Sequence, residues 1–74
     1  MRQQIIDILT QLRPEFDFKQ DVDFIEEGML DSFDIVSLVD SIEEEMGIAI
    51  PGDEILPENF SSVNAIESLL KRLS

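Results

Sequence analysis

Near the start of the chain, apolar residues recur at Ile5, Ile8, Leu9 and Leu12, with Gln3, Gln4, Asp7 and Gln11 on the other side. That is the spacing of one helix face. Pro14 disfavours helical geometry at the residue before it, so the spacing predicts a first helix that stops near Arg13. From Glu15 to Leu30 the pattern changes: "EFDF" and "DVDF" alternate polar and apolar residues, as short strands do. Two strands alone bury little. The preferred reading is a long ordered loop that sends Phe16, Phe18, Val22, Phe24 and Ile25 into a helical core.

The clearest signal follows. Ile35, Leu38, Val39, Ile42 and Met46 form one apolar stripe over three helical turns. Asp31 is a suitable N-cap, with Asp34 three residues on in an imperfect capping box, and Gly47 supplies the C-terminal stop. "IAIPGDEI" reads as an extended link and turn, because Pro51 pushes Ile50 out of helical geometry. Pro57 opens one helical turn in "PENF". Ser61 or Ser62 then caps a last helix whose Val63, Ile66, Leu69, Leu70 and Leu73 face inward. The predicted fold is all-α: a small four-helix bundle of three main helices and one short helix, with a long loop after the first.

Length and composition bound this picture. A chain of 74 residues allows one domain, here residues 1–74, with a small core. There is no cysteine, so helix packing rather than disulfides must hold it together. No apolar run approaches the ~20 residues of a membrane span, and charged and polar residues interrupt "MRQQIIDILTQLR" too often for a signal peptide. The expected location is the cytoplasm.

Charge changes the picture more. The formal net charge is −12, and the five basic residues are Arg2, Arg13, Lys19, Lys71 and Arg72. Of the 17 Asp and Glu, all but Asp7, Glu15 and Asp17 fall between Gln20 and Leu70, a stretch with no Lys or Arg. Such a field repels nucleic acid and anionic lipid and attracts basic protein surfaces; a plain solubility role is the competing reading.

With no histidine and no cysteine, zinc sites, Cys–His nucleophiles and Ser–His–Asp triads are ruled out. Paired-carboxylate hydrolysis needs a cleft for which so small a bundle has little room. Asp21, Asp23 and Glu26 cluster, but an EF-hand loop counted from Asp21 needs glycine where Glu26 stands. Ser32 remains. By spacing alone it is nearly as good a cap as Asp31; with Asp31 as the cap, its hydroxyl would point outward at a helix end that favours negative charge.

"GMLDSFDIVSLVDSIEEEMGIAIP" resembles the modification site and second helix of acyl and peptidyl carrier proteins of the stand-alone type. The resemblance extends over nearly the whole chain, and Asp31-Ser32, Glu43-Glu44-Glu45 and Ile50-Pro51 carry it at the family's separations. It implies that Ser32 receives 4′-phosphopantetheine from coenzyme A through a phosphopantetheinyl transferase. It also implies that the chain carries acyl or aminoacyl thioesters without catalysing reactions itself. The expected partners are acyl- or aminoacyl-loading ligases and downstream synthases with basic docking surfaces, met by a monomer.

For docking, Phe33, Val36 and Asp40 fall on a stripe away from the core set, with Asp31, Asp34, Glu43 and Glu44 as acidic flanks. Each has a plainer reading: Val36 half-buried, Phe33 packed on the loop, the glutamates a solvated face. Phe33 stands where the family most often has leucine, isoleucine or methionine, and Asp40 where an apolar residue is frequent; both imply altered contact with partner enzymes. The alternative function is an unmodified acidic helical module that docks a basic partner surface.

Overall fold

A computed structural model describes residues 1–74. Helix α1 (Arg2–Leu12) buries Ile5, Ile8 and Leu9. Its last bond runs from the Arg13 N–H to the Leu9 carbonyl at 2.9 Å, and Arg13 itself leaves the helix at φ −136°, ψ 79°. Pro14 is the cause, because its ring crowds a helical residue before it.

Helix α2 (Ser32–Met46) buries Ile35, Leu38, Val39 and Ile42 along the predicted stripe, and Met46 packs partly against the same core. Gly47 ends it in the left-handed conformation at φ 68°, ψ 23°, its N–H bonded to the Glu43 carbonyl at 3.1 Å. Glycine suits that position because a Cβ there meets the following carbonyl. Helix α3 (Val63–Leu73) is capped by Ser62, whose hydroxyl accepts from the Ala65 N–H at 3.0 Å. Lys71 and Arg72 occupy its last turn, where the helix dipole favours cations.

The fourth element is the expected single helical turn opened by Pro57. Pro57–Phe60 is a single turn of 3-10 geometry with proline at its first position, and a second 3-10 turn at Gly52–Glu54 precedes it. α1 packs against both α2 and α3, and the Pro57–Phe60 turn packs against α2 and α3.

The long first connection forms turns rather than strands and is tied down by aromatic packing. Phe18 and Phe24 are fully buried and meet edge to face, with ring centroids 5.0 Å apart; Phe16 meets Phe18 the same way at 6.3 Å. Burying one such ring stabilises by roughly 1.5–3 kcal/mol, which offsets part of the ~1–2 kcal/mol that ordering each loop residue costs. The main chain is anchored as well. Phe24 N–H donates to the Ser61 carbonyl at 2.7 Å, and the Phe24 carbonyl accepts from Met29 and Leu30 at 2.8 and 3.1 Å. The turn reverses through Gly28 at φ 73°. Met29, Leu30, Ile50 and Phe60 join the core as well, although no periodic pattern marked them.

Candidate functional site

Asp31, Ser32 and Asp34 meet at the start of α2. Asp31 is extended at φ −112°, ψ −175°, and its Oδ1 accepts from the Asp34 N–H at 2.9 Å. Asp34 Oδ2 in turn accepts from the Asp31 N–H at 3.1 Å. The capping box that looked imperfect in sequence is therefore complete, with aspartate doing the work usually given to glutamate. The cap belongs to Asp31. Ser32 becomes the first residue of α2, exposed, and no side-chain hydrogen bond of the molecule engages its hydroxyl.

Asp34 corrects the docking set read from sequence. Only 5% exposed, it lies inside the fold and is not displayed to a partner. Arg13 holds it in a fork: Nε lies 3.2 and 3.1 Å from Oδ1 and Oδ2, and Nη2 lies 2.8 Å from Oδ2. The physical reason is periodicity. Asp34 stands one turn before Leu38 on the buried face, so its carboxylate must find a partner indoors. Burial pushes the Asp34 carboxyl up; the Arg13 guanidinium and the Asp31 N–H outweigh it and hold the group below its ordinary value. Arg13 is held above its own usual value by the hydrogen bonds to Asp34 and Glu15. Sequence spacing marked neither Arg13 nor this pairing; the usable signal was a carboxylate on the core stripe.

The other candidates fall where a partner can reach them. Phe33 is 78% and Val36 64% exposed, and Asp31, Asp40, Glu43 and Glu44 are exposed too. Neither Val36 as half-buried core nor Phe33 packed on the loop describes the structure. Glu43 has a second task, because its Oε2 accepts from the Ile50 N–H at 2.9 Å and fastens the segment after α2 to the helix. Beside Ser32 runs an open groove of about 280 Å³ lined by Ser32, Ile35, Val36, Ile55 and Pro57.

The arrangement fits a phosphodiester-linked arm. A free hydroxyl stands at the positive end of a 15-residue helix, which favours a phosphate, and the groove offers apolar walls beside it. Phosphopantetheine would supply the thiol that a chain without cysteine lacks.

Comparison with known proteins agrees. Residues 3–70 match the family described as "Phosphopantetheine attachment site". The D-alanyl carrier protein of Bacillus velezensis is 34% identical over 97% of this chain and 95% of its own length. That of Lactococcus lactis subsp. cremoris is 32% identical over 89% and 86%. Aminoacyl carrier protein 1 of Bradyrhizobium diazoefficiens is 44% identical over 55% of this chain and 46% of its own. A match on this scale, over a chain whose longest helix opens with an exposed, unbonded hydroxyl, puts it in the phosphopantetheine-attachment family: it is a carrier protein that bears its intermediates as thioesters on a covalent 4′-phosphopantetheine arm.

Proposed function

We propose that Ser32 is the attachment residue and that the cargo is an aminoacyl group. One observation carries the first part: Asp31 caps α2, so the Ser32 hydroxyl is exposed and uncommitted at the helix N-terminus. The second part rests on the relatives, several of which are named as D-alanyl or aminoacyl carriers. The chain supplies no catalytic group; it presents the loaded arm to enzymes that do.

Docking runs through Phe33 and Val36 at the centre of the exposed face of α2, with Asp31, Asp40, Glu43 and Glu44 around them. Apolar contact there stays small and charge does the steering, which suits a carrier that must bind and leave quickly. The partners are a phosphopantetheinyl transferase, an aminoacyl-loading ligase and a downstream acceptor enzyme, each offering a basic surface to a monomeric carrier in the cytoplasm. No helix is long and apolar enough to cross a membrane.

Incubation with coenzyme A and a broad-specificity phosphopantetheinyl transferase is expected to add one prosthetic group, read by intact mass, and Ser32→Ala is expected to add none. An equal gain on Ser32→Ala sinks the assignment. The intact mass of protein purified from its own host is expected to show the arm together with an amino acid; a fatty acyl mass would overturn the cargo.

A further inference from the structure

Two adjacent residues compete to cap α2, and the competition has a consequence for modification. A serine whose hydroxyl accepts a main-chain N–H is a poor substrate, because the same oxygen must be free to attack phosphorus. Asp31 prevails in the structure because the cap is reciprocal: it accepts from the Asp34 N–H while its own N–H is held by the Asp34 carboxylate. That second bond is strongest to an ionised carboxylate held in place, and burying that charge at Asp34 without a partner is costly.

The stabilising charge comes from elsewhere in the chain. Arg13 lies 21 residues earlier, just beyond the last turn of α1, where Pro14 turns the backbone out of the helix. From there its guanidinium reaches both Asp34 oxygens and passes Asp31 Oδ2 at 3.8 Å. The other cations are engaged elsewhere or lie apart: Arg2 binds Asn64 and Glu67, Arg72 meets Glu54, Lys71 meets Glu67, and Lys19 makes no ion pair. In a chain of net charge −12, Arg13 is thus the one cation bonded at the start of α2, where a phosphodiester adds further negative charge.

We propose that Arg13 is a positioning residue for the modification of Ser32: by holding the Asp34 carboxylate inside the Asp31–Asp34 cap, it keeps the Ser32 hydroxyl off the main chain and open to the transferase. This rests on the assignment of Ser32 as the attachment residue. Arg13 touches neither coenzyme A nor the reacting oxygen. Its loss lets Asp34 leave the cap, and Ser32 then spends most of its time bonded to the main chain as the cap. The transferase sees less of the competent form. Apparent affinity falls in proportion to that fraction, while captured carrier still reacts normally.

The test uses the full apo chain, coenzyme A and a broad-specificity phosphopantetheinyl transferase. Initial rates are followed by intact mass against carrier concentration, at a temperature where circular dichroism shows each variant folded. Arg13→Gln is expected to raise KM roughly five- to tenfold with kcat nearly unchanged. Arg13→Lys, whose single ammonium cannot match the fork, should recover only part of the loss. Ile42→Val, a core change that weakens the fold without touching the cap, should leave both constants near wild type. A folded Arg13→Gln chain modified with the wild-type KM overturns the proposal, as does an Ile42→Val chain that shows the same rise. Should Arg13→Gln fail to fold, a wild-type KM for Arg13→Lys overturns it equally. A wild-type chain that gains no group removes the Ser32 assignment, and the proposal with it; a modified wild type with an indifferent Arg13→Gln removes the proposal alone.

Discussion

Asp31 and Ser32 have side chains of nearly equal capping ability, and the fold gives them opposite tasks. Asp31 Oδ1 takes the Asp34 N–H, and the neighbouring hydroxyl takes nothing. Their replacement should therefore have unequal effects on stability. Asp31→Ala is expected to cost about 1 kcal/mol, the usual effect of losing a cap, whereas Ser32→Ala should stay within about 0.5 kcal/mol of wild type. Denaturant melts at neutral pH decide it, and the reverse order would return the cap to Ser32. Sequence made both residues candidates and went no further, because the choice depends on Asp34, and Asp34 depends on an arginine that no local spacing connects to it. Phe33 and Val36 were legible for the opposite reason: a helix period puts them off the buried stripe, and they are exposed.

Among the elements, α1 and α2 are joined by more than apolar packing. The Arg13–Asp34 fork ties the end of one to the beginning of the other. Asp34 titrates below its ordinary value, so its stabilising contribution is complete above the unfolded-state pKa near ~4 and is lost as pH falls through the lower folded value. Arg13→Gln removes the compensating charge and leaves burial to push the carboxyl up. The urea midpoints of wild type and Arg13→Gln are accordingly expected to differ most near neutral pH and to converge below about pH 4. A gap that is constant with pH would mean that Arg13 acts through packing alone. Helices α2 and α3 were readable because their stripes repeat and Gly47 and Ser62 punctuate them. Ile50 and Phe60 were not, since each is a solitary core contact in a segment of turns too short to display a period.

At the level of the whole molecule, seventeen carboxylates surround five cations, and four of those cations already make ion pairs. Of the fourteen carboxylates between Gln20 and Leu70 only Asp31, Asp34, Glu54 and Glu67 meet a cation, so repulsion among the rest remains, and screening should relieve it. The thermal midpoint is expected to rise between low and moderate salt; a flat response would show the repulsion to be smaller than the charge count suggests. The two long connections then contribute unequally to how the molecule yields. The first is riveted through Phe24, whose N–H reaches across to Ser61 and whose carbonyl holds two further amides. The second accepts that same Phe24 amide at Ser61 and meets Arg72 at Glu54 and α2 at Glu43; its other bonds close upon itself, at Pro51–Glu54, Gly52–Ile55 and Leu56–Asn59. The flank that carries Ile55 and Pro57 is thus held mainly by local bonds, so the wall beside Ser32 is expected to open sooner than the aromatic side, read as faster amide exchange at Ile55 than at Phe24.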